Sequence, residues 1–487
     1  MKFTTKIGVF LDSVSPKVGA KSRGAWRLMK NAFTKTCPDF TKYNIPDKYI
    51  KESINAVAVM DSIRRINEPQ RDSSRVAIIT VAPPSKTGIA NFSVKTFYHC
   101  SSNIDIYFPH EGSVDYFTTL FSVNSYSDKL KFYSIDSFFY GVRCRSYDYL
   151  IFVLGNSEHN IDVAKTLRRC ANVNGMGKIF IEIHDPVLIH LAAKIHFSDG
   201  MEIDVMIRKF YNISIDGETI KMAAYEDYKK IVGRGVYGIK AITSGVKVDG
   251  VIVHSSAAAE IVTKELPFAA DNTCVLYHPV FEDFYFEKIF NNNLEEIKIA
   301  SFGIPGNHKE TATVINAFRI IHRKYPGASL ILAGYGVDDY VIREHLANEA
   351  GVNYYDSPSD EDLIDIMRGV DIAVQLRNSN TGESSGVVPQ LIAANVSIIC
   401  SAVGAFLDYK DAVRYVQPGC SSEDLVEVII QEFEDCSVKS ANRIKYLQTH
   451  RPRDFCEKLE FWTRNRMVES YLKDNTEGQR EPEVNGG

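Results

Sequence analysis

Cysteines paired for metal binding or for a disulfide framework are missing from this 487-residue chain. Its nine cysteines are scattered, odd in number and never spaced as CxxC. Zinc sites built from cysteine need such pairs, and the disulfide framework of a small secreted domain needs an even number of cysteines. The cysteine pattern therefore predicts a reduced, cytosolic protein without a structural zinc site.

Long hydrophobic runs are also absent. No segment approaches the roughly 18 consecutive apolar residues of a membrane-spanning helix, and Met1–Asp12 lacks the apolar core of a signal peptide. The formal net charge is −5, whereas dedicated nucleic-acid binders are usually basic. These features argue against a membrane-spanning protein and against a nucleic-acid partner.

Several catalytic motifs are missing. The chain has no GxxxxGK[ST], HExxH or GxSxG pattern and no complete dinucleotide fingerprint. A Walker-type ATPase, a zinc protease and an α/β-hydrolase each need one of these patterns for their chemistry. We therefore expect none of these three classes, and we expect no resident cofactor or metal.

A basic N-terminal arm, residues 1–74, differs from the rest of the chain. Through Ile50 it has ten Lys and Arg against three Asp and Glu, and five of the basic residues surround Trp26, Leu28 and Met29. We interpret the arm as a solvated segment or a strap on the main body. Peripheral contact with an anionic membrane, at the inner face, is the alternative.

Alternating strands and helices begin at Arg75 and restart after the linker Asn291–Asn293. Strands that alternate with helices of about 10–15 residues predict parallel βαβ units. The fold class is therefore α/β, with two Rossmann-like, doubly wound domains that face a cleft. We place an N-terminal domain at 75–290, a C-terminal domain at 295–435, helices that pack back on the first domain at 436–475, and a disordered tail at 476–487. The stretch 199–247 is predicted to be irregular.

The loop Thr381–Gly386, with sequence TGESSG, is the most informative segment. It connects a predicted strand to a predicted helix, so its backbone N–H groups could hold a phosphate. A phosphate would not need the carboxylate of Glu383, which suits the hydroxyls of an attached sugar. This loop predicts a nucleotide-sugar site. The alternative is an ordinary helix start, capped by Ser384 or Ser385.

Other predicted strand ends also carry polar residues. In the second half, the loop after the first strand contains Gly303 and ends in Lys309, whose ammonium can meet a phosphate. Arg377 lies six residues before Glu383, and its guanidinium could form a bidentate contact with a diphosphate. In the first half, Gly88 would allow close approach of a ligand, and His184 could project into the cleft. A plain turn at Gly88 and a structural His184 are the alternatives.

The chain resembles glycosyltransferase family four. The resemblance spans about residues 75–435 and depends on the order and spacing of several segments, which are SKTGIANFS (85–93), GNSEHN (155–160), IEIHDPVLIH (181–190), VDGVIVHSS (248–256), FGIPGNHK (302–309), INAF (315–318), LILAGYG (330–336), DIAVQLRNSNTGESSG (371–386) and VGAF (403–406). It implies the GT-B fold and sugar transfer from a nucleotide donor with retention of configuration. Its closest branch implies polysaccharide assembly, with GDP-mannose or a similar donor.

The resemblance also implies roles for individual residues. Gly88 would lie beside the donor phosphates and the acceptor, and His184 near the anomeric carbon. Lys309 would neutralise the leaving diphosphate, and Glu383 would bind sugar hydroxyls. The N–H groups of Ser384, Ser385, Gly386 and Val387 would hold the phosphates.

Two positions depart from the family pattern. Ile304 stands where the family usually has an arginine, and Leu391 where it has a second glutamate that reaches the ribose. Arg377 could replace the missing arginine. We expect a metal-independent hexosyltransferase that acts on a glycan or a lipid-linked acceptor. The alternatives are a catalytically silent GT-B scaffold or partner subunit and, less favoured, a sugar-nucleotide epimerase.

Overall fold

The computed structural model describes most of the chain. The described residues are 54–61, 63, 75–85, 87–123, 129–144, 147–173, 176–214, 230–281, 285, 288, 291, 293–435 and 439–477. The predictions for residues 1–50 and nearly all of the predicted tail therefore lie outside the described part of the chain. No helix in the described ranges is both long and apolar enough to cross a membrane.

In the described ranges, thirteen strands form two parallel sheets. The strands of the first sheet are β1 Arg75–Ile79, β2 Asn103–Phe108, β3 Leu130–Ser134, β4 Tyr149–Leu154, β5 Lys178–Ile183, β6 Gly250–Val253 and β7 Thr273–Val275. Those of the second sheet are β8 Lys298–Phe302, β9 Ser329–Gly334, β10 Val352–Asp356, β11 Ile372–Gln375, β12 Ser397–Ser401 and β13 Arg414–Val416.

Helices alternate with these strands along the chain. In the first half they are α1 Gly88–Phe97, α2 Ser113–Val123, α3 Phe138–Cys144, α4 Ile161–Arg169, α5 Ile189–Ser198, α6 Ile203–Tyr211, α7 Ile239–Thr243 and α8 Ser256–Glu265. In the second half they are α9 Thr311–Lys324, α10 Val337–Arg343, α11 Asp360–Arg368, α12 Val387–Ala393, α13 Ser422–Glu434, α14 Ser440–Thr449 and α15 Pro452–Glu477. Together with the two parallel sheets, they confirm the predicted α/β class.

The chain divides into two compact units. The first comprises the described residues of Met1–Val94 together with Ser102–Asp148, and its strands have the order β3-β2-β1. The second comprises Lys95–Ser101 and the described residues of Tyr149–Gly487. In the second unit, β4-β5-β6-β7 follow one another in the first sheet, and the second sheet has the order β10-β9-β8-β11-β12-β13.

Continuous apolar strands explain the parallel sheets, because such strands are covered on both faces. All six residues of β4 (YLIFVL) are buried, and β4 pairs with β5 from Tyr149↔Lys178 to Leu154↔Ile183. In the second sheet, two clusters of buried residues alternate along β8, with Ile299 in one cluster and Ala300 in the other. Residues of α9 and α13 belong to one of these clusters and residues of α12 to the other, so helices cover both faces of the second sheet. Because the strands of each sheet are parallel, the loops that follow them lie along one edge.

The long helix α15 packs on the strands of the first sheet. The ring of Trp462 lies 5.3 Å from that of Phe180 on β5. A methyl group added at Gly250 on β6 would lie 2.6 Å from the same indole, so only glycine allows this close approach. The packing therefore fixes α15 against β5 and β6.

Two parts of the prediction differ from the structure. The sequence did not predict β3, a short strand whose apolar run is interrupted by the half-buried Lys131. The prediction that 199–247 is irregular is wrong for α6 and α7. Met206 and Ile207 of α6 are fully buried, so tertiary burial defines this helix within a stretch that looked irregular.

Candidate functional site

An ion pair closes the loop that follows β11. The guanidinium of Arg377 donates from Nη1 to Glu383 Oε2 at 2.9 Å. The backbone N–H of Arg377 donates to Ser401 Oγ at 2.8 Å, and its guanidinium lies 5.5 Å from the centre of the Phe406 ring. Burial would raise the pKa of Glu383, but the neighbouring positive charge of Arg377 outweighs it and holds the pKa below the ordinary value.

Hydrogen-bonding capacity remains on both partners of this pair. Arg377 Nε is buried and has no hydrogen-bond partner among the described residues. The Glu383 side chain is 43% exposed, and the described hydrogen bonds and ion pairs occupy Oε2 rather than Oε1. A buried guanidinium N–H without a partner is costly unless a ligand or water accepts from it. Both side chains of the pair therefore have hydrogen-bonding capacity left for a ligand or a water molecule.

Lys309 lies next to the ion pair. It ends the 3-10 helix Asn307–Lys309 in the loop after β8, and its ammonium donates to the carbonyl of Phe302 at 3.0 Å. Burial, and then the charge of Arg377, lower the pKa of Lys309 to about 8. Asn378 ties the two loops together, because its amide Nδ2 donates to the carbonyl of Asn307 at 2.9 Å.

Gly303 makes this position of Lys309 possible. Its φ is +97°, a conformation that favours glycine, and a methyl group there would collide with the Lys309 ammonium. Sequence reasoning selected Gly303 and Lys309 from the same loop, and the structure brings them into contact.

The loop Thr381–Gly386 offers backbone donors. Ser385 Oγ accepts from the N–H groups of Val387 and Val388, both at 3.3 Å, so the serine caps α12. No hydrogen bond among the described residues uses the N–H of Ser384, Ser385 or Gly386. Because α12 has seven residues, we attribute any anion attraction here to these N–H groups and the two cations rather than to a long helix dipole.

The first sheet contributes residues to the same loop. Ser255, which follows β6, donates from Oγ to the carbonyl of Gly382 at 2.7 Å. Gly382 has φ +70°, and a methyl group there would lie 2.6 Å from Pro186 Cγ in the loop after β5. Burial, and then the charge of Glu383, raise the pKa of the neighbouring Asp185 to about 6. The loop after β5 therefore lies directly against the loop after β11.

His184 belongs to a buried group at the ends of β5, β6 and β7. Its Nε2 lies 3.4 Å from Glu182 Oε1 and 3.3 Å from His254 Nε2. Burial, and then the proximity of His254, lower the pKa of His184 to about 4, whereas the two histidines outweigh the effect of burial on Glu182 and lower its pKa to about 2. His278 completes the group, with its ring centre 4.4 Å from that of His254.

The structure thus brings together Gly303, Lys309, Arg377, Glu383 and the loop through Val387. His184 precedes Asp185 and Pro186 in the loop that touches Gly382, but its Nε2 faces Glu182 and His254. Gly88 begins α1, and a methyl group there would meet nothing within 4 Å. Ile304 is 53% exposed, whereas Leu391 is fully buried among apolar side chains.

Sequence reasoning missed Glu182, His254 and His278. Each follows or lies within a strand of the first sheet, but their separation along the chain gives no hint that they meet. The available signal was a histidine directly after β5 and β6 and three residues after the end of β7, in the segments IEIHD, VIVHS and VLYHP. It becomes informative once these strands are known to be neighbours.

Comparisons with known proteins agree with this architecture. Residues 285–450 match the family Glycosyl transferases group 1. No curated protein sequence matches the chain. Similar solved structures are HepE of Anabaena in complex with UDP (13% identity, 80% of this chain and 98% of that chain, TM-score 0.51), sucrose-phosphate synthase of Thermosynechococcus elongatus (12%, 81% and 100%, 0.55) and a glycosyltransferase of Rickettsia africae (11%, 81% and 99%, 0.52).

These structures share the fold at identities too low to transfer substrates. They confirm the predicted GT-B architecture, and the family match confirms the resemblance found in the sequence. Residues 285–450 thus match the family Glycosyl transferases group 1, and the chain has the GT-B fold.

Proposed function

We propose that the protein is a retaining hexosyltransferase whose donor diphosphate binds between Lys309, Arg377 and the loop Ser384–Val387. The observation that carries the proposal is the convergence of two cations and three unused backbone N–H groups beside one partly exposed carboxylate. Few sites need both signs of charge so close together. A sugar diphosphate does, because its phosphates need donors and its hydroxyls need acceptors.

The chemistry follows from where charge develops. The bond between the anomeric carbon and the diphosphate oxygen breaks, so negative charge grows on the leaving group. Lys309 and the Nε–H of Arg377 are held in place before the reaction, and fixed donors of this kind stabilise developing charge without reorganisation. Glu383 Oε1 accepts from a sugar hydroxyl, while Oε2 stays paired with Arg377. Arg377 supplies the guanidinium that is missing at position 304, where this chain has isoleucine.

In this proposal His184 is a positioning residue. Its Nε2 faces Glu182 and His254, and the next two residues belong to the loop that meets Gly382. A role for Gly88 beside the donor stays a prediction from the sequence.

The acceptor we propose is a glycan or a lipid-linked sugar in polysaccharide assembly. The donor base stays open between GDP and UDP. The sequence resemblance favours GDP-mannose, whereas the Anabaena neighbour holds UDP. Leu391 is buried and offers no carboxylate to a ribose, so the usual contact to the sugar of the nucleoside must come from elsewhere. Peripheral attachment of the basic N-terminal arm to the inner membrane face belongs to the same proposal.

Release of a nucleoside diphosphate from a panel of GDP- and UDP-sugars tests the function. The panel is offered with lipid-linked and free sugar acceptors, and the double variant Lys309→Ala/Glu383→Gln gives the background. Turnover above that background, with a product of unchanged anomeric configuration, supports the proposal. A silent scaffold, which the substitutions at Ile304 and Leu391 favour, would release no more nucleotide than the double variant.

Transfer is expected to persist in the presence of EDTA. Lys309 and Arg377 supply the positive charge that a divalent ion provides at other diphosphate sites. Initial rates with EDTA and with added Mn²⁺ should agree with the rate in untreated buffer. A rate that EDTA abolishes and Mn²⁺ restores would contradict metal-independent catalysis.

The donor kcat/KM is expected to fall as the pH rises through about 8. Burial and the charge of Arg377 lower the pKa of Lys309 to about 8, so the free enzyme has a charged ammonium below that pH and a neutral amine above it. A profile of kcat/KM reports groups of the free enzyme. Lys309→Arg is the control, because a guanidinium stays charged throughout this range. An alkaline fall that is the same in the arginine variant would assign the titration to another group.

A further inference from the structure

The histidine cluster, defined as Glu182, His184, His254 and His278, lies near the carboxyl ends of β5, β6 and β7, next to the loop whose Pro186 meets Gly382. Glu182 is completely buried, and its ion-pair partners among the described residues are His184 and His254. A carboxylate removed from water needs a compensating positive charge. The four side chains come from three adjacent strands or the residues just after them, so one small group could satisfy all of them at once.

The separations within the cluster match a metal coordination shell. Glu182 Oε1, His184 Nε2 and His254 Nε2 lie 3.2, 3.3 and 3.4 Å from one another. Ligands about 2.0–2.1 Å from a tetrahedral zinc ion are separated by roughly 3.3–3.4 Å. The three atoms thus form one face of such a tetrahedron. The ligand atoms of His184, His254 and His278 also lie within 4.8 Å of one another, so His278 is the neighbouring side chain that can supply a fourth ligand once its ring turns toward Glu182.

The orientation of His254 supports the same interpretation. Its Nδ1 lies 2.8 Å from the carbonyl oxygen of Leu276, so Nδ1 carries the proton and donates. The lone pair of a neutral His254 is then on Nε2, which faces Glu182 and His184. Histidines that bind metals commonly donate their second N–H to a backbone carbonyl in this way.

We propose that Glu182, His184, His254 and His278 bind one divalent ion of the zinc class. The ion compensates the buried carboxylate and joins the ends of β5, β6 and β7 next to the loop that meets Gly382. The sequence predicted no resident metal, and this proposal departs from that prediction; the absence of CxxC pairs argues only against zinc sites built from cysteine. The site is separate from the diphosphate cations, so its presence does not depend on the proposed sugar transfer.

Metal titration of the full-length protein tests the proposal. The protein is stripped with a strong chelator, titrated with Zn²⁺, and measured by elemental analysis after removal of free ion. We expect one equivalent of zinc per chain and a higher melting temperature in the loaded protein. His254→Ala should retain less than about a tenth of an equivalent, because the remaining ligands can no longer close the shell. His190→Ala, on α5 outside the cluster, is the matched control and should bind like wild type.

Cobalt provides an independent measurement where His254→Ala fails to fold. Co²⁺ in a tetrahedral nitrogen and oxygen site has strong visible absorption, which Glu182→Gln and His278→Asn should each alter while preserving much of the packing. Two outcomes would overturn the proposal. If the wild-type protein takes up no Zn²⁺, the cluster is not a metal site. Uptake and spectra that are unchanged in the cluster variants would place the ion elsewhere.

Discussion

Replacing Lys309 with alanine is expected to slow sugar transfer about 30- to 1,000-fold, with a much smaller effect on donor affinity. The loss of one charge-assisted contact to a leaving group costs roughly 2–4 kcal/mol in the transition state. The effect falls mainly on kcat because the negative charge on the diphosphate is greatest as the bond breaks. Initial rates across donor concentrations separate kcat from KM.

Lys324→Ala is the matched control for this experiment. Lys324 ends α9, the helix that begins two residues after Lys309, and its side chain is exposed. We expect no change in either kinetic constant. Unchanged turnover in Lys309→Ala would remove this lysine from the mechanism, and an equal loss in Lys324→Ala would point to a general effect of charge.

Replacing Glu383 with glutamine is expected to reduce transfer about 10- to 150-fold while the protein stays folded. The amide keeps the shape of the side chain but loses the charge that binds both Arg377 and a sugar hydroxyl. Hydrogen bonds to a charged group contribute roughly 1.5–3 kcal/mol. Transfer rates and melting temperature, measured on the same preparations, give both quantities.

Glu349→Gln provides the comparison for this substitution. Glu349 forms an ion pair with Arg319, with contacts of 2.5 and 2.6 Å, away from the candidate site. Both variants lose an Arg–Glu pair, so both should lose similar, small amounts of stability. We expect only Glu383→Gln to lose activity. If its melting temperature falls sharply together with its activity, Glu383 is a structural residue of the loop start rather than a sugar ligand.

Local patterns predicted the main elements of the fold. The apolar runs Tyr149–Leu154 and Lys178–Ile183 are strands, as the predicted alternation of strands and helices requires. Such strands are continuous, bounded by polar residues and buried on both faces, so burial and β propensity agree. Local patterns did not identify α6. This helix depends on what packs against it, and its packing partners cannot be read from the local sequence.

The candidate site was predictable only in part, for a related reason. Glycines and charged residues after strands indicate where ligands bind in α/β folds, and Lys309 and Glu383 were selected on that ground. The ion pair of Glu383 with Arg377 depends on a chain reversal between them. The meeting of His184, His254 and His278 depends on the order of β5, β6 and β7. Sequence spacing contains neither piece of information.

A crystal structure with a bound nucleoside diphosphate sugar tests the central claim most directly. We predict that the diphosphate accepts hydrogen bonds from Lys309 Nζ, from the guanidinium of Arg377 and from at least two N–H groups of Ser384–Val387, with a sugar hydroxyl on Glu383. Soaked crystals of the Lys309→Ala protein should show weaker density in the same place. A diphosphate bound at another location, with Lys309 and Arg377 uninvolved, would contradict the account.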